Sequence, residues 1–151
     1  VRERTLLLEP CSVARSIEIV GDPWALMVIR EAFLGVRRFE EMRRRLGVAP
    51  NVLSDRLDML VRHGIVKRVP YQDRPVRHEY RLAQKGLDLY PAVVALMRWG
   101  ERYTQDPAPV ILRHRACGND IIPVMACPHC REEITALDVD ARPRPRDGAS
   151  A

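Results

Sequence analysis

Apolar residues recur at Val13, Ile17 and Val20, the spacing of one helical face between Cys11 and Val20. Gly21-Asp22-Pro23 interrupts that face. Asp22 suits a helix N-cap and Pro23 the first helical position, so a second helix is predicted from Trp24 to Phe33, with Leu26, Met27, Ile29 and Phe33 available to a core. Gly35 ends it. Arg38-Phe39 forms a short strand or leads straight into a helix at Glu40 to Leu46, which Gly47 closes. The next helix starts at Pro50, where Leu53, Leu57, Leu60 and Val61 fall at i, i+4, i+7 and i+8. Gly64 is its left-handed stop. Alternating residues from Ile65 to Val69 and from Val76 to Leu82 then predict two strands, with Tyr71 to Pro75 as the tip between them. A long apolar-rich helix from Gln84 to Tyr103 follows. Pro91 inside it predicts a kink or break near Leu87.

Helix, tight turn, helix, then a hairpin is the order of a helix-turn-helix carrying a wing. A helix of this size fits a DNA major groove, and a basic hairpin beside it reaches phosphates or a neighbouring groove. The fold class is therefore mainly α with a small β wing. Its core is three helices and the two-stranded hairpin.

Charge sharpens that picture. The 151 residues carry a formal net charge of +5, and 46% are hydrophobic but only 5% aromatic, so the core is mainly aliphatic. Thirteen Lys/Arg stand against six Asp/Glu between Val36 and Lys85, so the excess sits in the middle of the chain. A basic middle suits a polyanion, although a solvated Arg-rich surface reads the same way. No run approaches the length of a membrane span, and Leu6-Leu7-Leu8 is too short for a signal peptide, so a cytoplasmic protein with reduced cysteines is expected.

The N-terminal half of a recognition helix faces base edges. Here that places Asn51, Ser54, Asp55 and Arg56 as DNA-reading candidates. Arg74 and Arg77 bring charge from the wing, and Arg38 and Arg44 from the preceding element. The competing readings are capping for Asn51 and Ser54, and for Arg56 an ion pair with Asp55, Asp58 or a distant carboxylate. In the Arg43-Arg44-Arg45 run, at least one side chain is expected on a solvated face. Asp55 either accepts from cytosine N4 or points at an arginine.

Cys11-Ser-Val-Ala-Arg15, Ile19-Val-Gly-Asp-Pro-Trp24, Ile29-Arg-Glu-Ala-Phe-Leu-Gly35 and Arg38-Phe39 open a motif series. It continues through Val52-Leu-Ser-Asp-Arg-Leu57, Gly64-Ile-Val66, Val76-Arg-His-Glu-Tyr80, Gly86 and Trp99-Gly100. In this series Cys11 to Tyr103 resembles HxlR-type winged helix-turn-helix transcriptional regulators. The resemblance implies a homodimer on a pseudo-palindromic operator of double-stranded DNA. A repressor is the expected sense, although the sequence itself does not separate repression from activation. It implies a dimer interface from Cys11 to Val20 and the long dimerisation helix Gln84 to Tyr103. It also implies Cys11 as a candidate sensor of oxidants or electrophiles, with Arg15 one turn on. A small-molecule effector would find an apolar pocket near Trp24 and Trp99. The chain departs from the pattern at Ser12, where Pro is usual, and at Ala49 and Ala83, where a capping hydroxyl is usual. Each missing cap is worth about 1 kcal/mol.

After Pro109 the pattern changes. His114-x-x-Cys117 and Cys127-x-x-Cys130 are two pairs with metal-ligand spacing. Structural zinc suits such a set, in a zinc-ribbon-like tail. His129 is an alternative to His114 as the fourth ligand, and an iron-sulfur cluster would use only the three thiolates. The expected organisation is 1–103 for DNA binding and dimerisation, 110–137 for the zinc-ribbon-like tail, and 138–151 as a disordered end. Gln105 to Pro109 is a linker. A zinc hydrolase would need an open metal position and a base, for which Glu132 and Glu133 are the near candidates. With no HExxH and no phosphate loop, the chain reads as a non-enzyme. A winged-helix protein-interaction module is the third reading.

Overall fold

The computed structural model describes residues 11–104 and 110–142. Leu6-Leu7-Leu8, the expected linker and most of the 138–151 end lie outside them. The chain divides into two compact units between Met97 and Arg98.

The first unit is built from helices α1 (Ser12–Val20), α2 (Pro23–Phe33), α3 (Phe39–Leu46) and α4 (Pro50–Arg62), then strands β1 (Val66–Asp73) and β2 (Val76–Leu82). The short helix α5 (Gln84–Leu87) and the first part of α6 (Tyr90–Tyr103) complete it. Local chemistry sets most of these boundaries. The Ala25 N–H donates to Asp22 Oδ1 (3.1 Å) at the N-cap of α2, and Pro23 starts that helix. Gly47 (φ 63°) and Gly64 (φ 67°) follow α3 and α4 in the left-handed region that favours glycine. Ala49 and Ala83 cap α4 and α5 without any side-chain hydrogen bond. The expected break falls between α5 and α6, where Pro91 is accommodated in the first turn of the new helix.

Leu53, Leu57 and Leu60 of α4 lie at the centre of the core, with Ala25, Val28 and Ile29 of α2, Met42 of α3, and Ile65 and Val66 at the strand entry. Val36 and Val48 close the loops over it. The buried face of α2 differs from the expected one. Leu26 is only partly covered and Met27 is 37% exposed, so they do not serve the core, whereas Ile29 does. The α1 stripe differs too, since Val13 (66% exposed) and Ile17 (50%) face outward and only Ile19 and Val20 reach the core. Periodicity found both faces; it did not reveal which neighbour each would meet.

β1 and β2 pair antiparallel from Val66↔Leu82 to Asp73↔Val76, with an irregularity between Pro70 and Gln72. The first strand thus runs past its expected end, and the tip shrinks from Tyr71–Pro75 to Arg74-Pro75. An added residue at Tyr71 lets the strand re-pair instead of ending. Arg38 bridges to Glu79 and the Tyr80 N–H donates to the Arg37 carbonyl (2.7 Å), so Arg37-Arg38 lies alongside β2 before leading into α3. Of the alternatives for Arg38-Phe39, the direct lead into the helix is realised, since Phe39 opens α3 and Arg38 makes only an isolated bridge.

The second unit, as far as it is described, holds the end of α6 and residues 110–142. None of the latter is buried. Two tight turns are each closed by a single bridge, Arg113↔Asp120 and Ala126↔Glu133. Among the described residues no helix is long and apolar enough to cross a membrane.

Candidate nucleic-acid interface

α4 buries one leucine row, which turns its opposite side outward. Asn51, Ser54 and Asp55 are exposed on that side. Among the described residues Asp55 makes no ion pair. Arg56 is placed differently from its neighbours. Its Nε donates to Asp22 Oδ1 at 2.8 Å, and the pair is two-thirds covered. Of the readings open for it, the distant carboxylate is realised, and this guanidinium clamps α4 to the start of α2.

The three consecutive arginines of α3 divide in the same way. Arg43 pairs with Glu40 one turn earlier (3.0 Å). Arg45 turns inward to Glu31, whose other oxygen takes Arg30. Arg44 is exposed, and among the described residues it pairs with no carboxylate. Glu31, 1% exposed, escaped sequence reasoning. It lies beside Val28 and Ala32 on the helix face that enters the core, and two guanidiniums offset the cost of burying its charge. The only signal was a carboxylate placed on an apolar helical arc.

Arg44 lines a recess toward the start of α4 and another toward the wing. One recess runs from Glu40 and Arg44 across Gly47 to Ala49 and Pro50 at the start of α4. Another runs from the same Glu40 and Arg44 to Arg38, Tyr71, Arg77 and His78 of the wing. Three of the expected phosphate contacts, Arg38, Arg44 and Arg77, therefore line one concavity. The Arg38 guanidinium sits 4.7 Å from the Tyr71 ring centre, which aims it without neutralising it. Among the described residues its one carboxylate is Glu79, at 3.9 Å and already engaged by Arg81 at 2.9 Å. Arg74 and Arg77 are exposed on the hairpin, with no ion pair among the described residues.

The Asp22 carboxyl is held below its ordinary value. Partial burial alone would raise it. The hydrogen bond from Arg56, the Ala25 N–H, the Arg56 charge and the Trp24 N–H together outweigh that burial. The recognition helix is thereby fixed to the body by an ionised pair.

Cys11 is half-buried at the N-cap of α1. Trp24 is 38% exposed and Trp99 63%. An apolar groove of the first unit lies among Pro23, Leu26, Met27, Val93, Leu96 and Met97, with a volume of about 420 Å³.

In the tail the structure brings the expected ligands together as pairs. His114 Nδ1 lies 3.3 Å from Cys117 Sγ. The backbone N–H groups of Cys130 and His129, and the Cys130 side chain, are aimed at the Cys127 sulfur and hold its thiol below the ordinary cysteine value. The two pairs do not converge: among the described residues no three His, Cys, Asp or Glu side chains surround one point. All four cysteines are free.

A family model described as HxlR-like helix-turn-helix matches residues 19–108. An HTH-type transcriptional regulator of Mycobacterium tuberculosis is 50% identical over 136 residues, covering 89% of this chain and 86% of that protein. One from Synechocystis is 30% identical over 63% of this chain and 71% of its own length. Among solved structures, PA1607, assigned as a transcription factor, is 35% identical with a TM-score of 0.79, covering 89% of this chain and 96% of that one. The redox regulator HypR in its oxidised form is 30% identical with a TM-score of 0.59, covering 64% of this chain and all of that one.

Proposed function

This chain belongs to the HxlR-like helix-turn-helix family of transcriptional regulators, and we propose that it acts as a homodimeric, sequence-specific repressor on a pseudo-palindromic operator. The carrying observation is the concavity that joins Arg38, Arg44 and Arg77 between α3 and the wing, beside a second recess that runs from Arg44 to the start of the recognition helix. Those cations grip phosphates, and Asn51, Ser54 and Asp55 read base edges. Asn51 suits adenine. Asp55 is left for cytosine N4, since no arginine of the described residues engages it. Arg56 is withdrawn from the contact set, because freeing it would break the clamp on Asp22.

A second copy is supported by the apolar surface that the first unit leaves uncovered. α1 buries none of its residues, so Val13 and Ile17 have no core to serve. Beside them in the chain, the groove of Leu26, Met27, Val93 and Leu96 offers a second apolar face. A compact dimer seated on an operator in the cytoplasm excludes other proteins from that DNA, so repression is the sense we assign.

The test is binding to its own promoter DNA over a range of salt. Each phosphate contact contributes about 0.9 to the log-log slope. R77A weakens binding to all sequences and lowers the slope by about that amount. A slope unchanged in R77A and in the corresponding Arg44 variant contradicts the assignment.

The likeness to HypR favours a second layer, in which oxidation of Cys11 alters operator binding. C11S should bind the operator normally and lose any response to diamide or quinones. An undiminished response in C11S rejects this layer and leaves DNA binding untouched.

A further inference from the structure

We infer that residues 110–142 form a two-turn metal module in which His114, Cys117, Cys127 and Cys130 ligate one Zn²⁺ ion. The inference is independent of the DNA-binding reading.

The tail is a structural repeat that its sequence hardly reveals. In the first turn the His114 N–H donates to the Asn119 carbonyl (2.8 Å), and the Gly118 N–H to the His114 carbonyl (2.8 Å). In the second the Cys127 N–H donates to the Glu132 carbonyl (2.9 Å), and the Arg131 N–H to the Cys127 carbonyl (2.9 Å). The outer bonds match as well: Ile121 to Leu112 (2.7 Å) and Ile134 to Met125 (2.9 Å). The residue after each second ligand is left-handed, Gly118 at φ 73° and Arg131 at φ 66°. A non-glycine residue adopts that conformation at a cost, which the surrounding turn must impose. The same backbone device is thus built twice, each time around a pair of metal-ligating side chains.

Distances agree with the ion. With Zn–N of about 2.0–2.1 Å and Zn–S of about 2.3 Å, the N···S edge of a tetrahedron is about 3.5 Å. His114 Nδ1 and Cys117 Sγ stand 3.3 Å apart.

Energetics require something of this kind. Ile111, Ile122, Val124, Met125 and Leu137 are all more than half exposed, so the segment has no apolar core of its own. A unit this short needs a cross-link or a metal. Three thiolates and an imidazole select zinc over magnesium or calcium. Binding exchanges three thiol protons for the ion and leaves a net single negative charge, which Arg113, Arg115 and Arg131 adjoin in sequence. One ion shared by both pairs would join the second turn to the first.

The experiment uses the full chain, purified under reducing conditions without chelator, with metal measured by mass spectrometry and Co²⁺ exchanged in for spectroscopy. We expect one zinc per chain and the intense visible bands of tetrahedral, sulfur-rich cobalt. C117S and the C127S/C130S pair should lose the metal, while H114C and H129A keep it, with operator binding by the first unit read on the same samples. Absence of zinc after reconstitution, a Cys127–Cys130 disulfide, an iron cluster containing sulfide, or metal loss in H129A with retention in H114A would each overturn the assignment.

Discussion

Asp22 does two things with one oxygen. It caps α2 through Ala25 and it receives Arg56 from α4. Its carboxyl pKa is depressed in the folded chain, so its stabilisation is present above the ordinary carboxylate range and is lost as pH falls through the depressed value. D22N keeps a good cap and removes the charge. It should cost under about 1 kcal/mol near neutral pH, because the pair is a third exposed. That difference should vanish on acidification, as read by urea denaturation at several pH values; a gap that persists in acid argues against an ionised pair. Gly86 is decided by space. A Cβ there would stand 2.3 Å from the Ile65 carbonyl oxygen. G86A gains up to about 1 kcal/mol of helix propensity but incurs about 1–3 from overpacking. A lower denaturation midpoint is expected, and an unchanged one would mean that α5 can shift freely. The cap at Asp22-Pro23 and the stops at Gly47 and Gly64 were legible in the sequence because each depends on a few adjacent residues. Glu31 with Arg45, and Asp22 with Arg56, were not, because their partners meet only when α2, α3 and α4 are packed.

At the scale of elements, α4 is the part the sequence specifies best, since its leucine row and its glycine stop agree. Its start is weaker. Ala49 has the extended backbone of an N-cap (φ −64°, ψ 143°) but no side-chain oxygen to accept from the first N–H groups of the helix. A49S should raise stability by about 1 kcal/mol in thermal denaturation; no gain would mean that water or Pro50 already satisfies this end. The wing was legible as a hairpin but not in its length, because one added residue at Tyr71 resets the pairing. The helix break before α6 was legible from Pro91. The outward turn of Val13, Ile17 and Met27 was not, since a helical stripe shows that a face is apolar without saying what covers it.

For the whole molecule, the two units pose different problems. The first has an aliphatic core and an apolar surface left over, which a second copy would cover. The second has no core and two matched turns, which an ion would join. The DNA-binding reading rests on the first. Its arginines are sorted by packing: Arg30, Arg45 and Arg56 hold the body together, while Arg44, Arg74 and Arg77 keep their charge outward. Composition counted these together, and folding separated them. The measurement that bears most directly on the account is the DNA selected by the full chain from random oligonucleotides. The account predicts two inverted half-sites with centres about 10–10.5 base pairs apart, or a multiple of that, bound by two chains. It also predicts that N51A relaxes one position in each half-site. Enrichment of a single asymmetric site bound by one chain, or no enrichment at all, would contradict it.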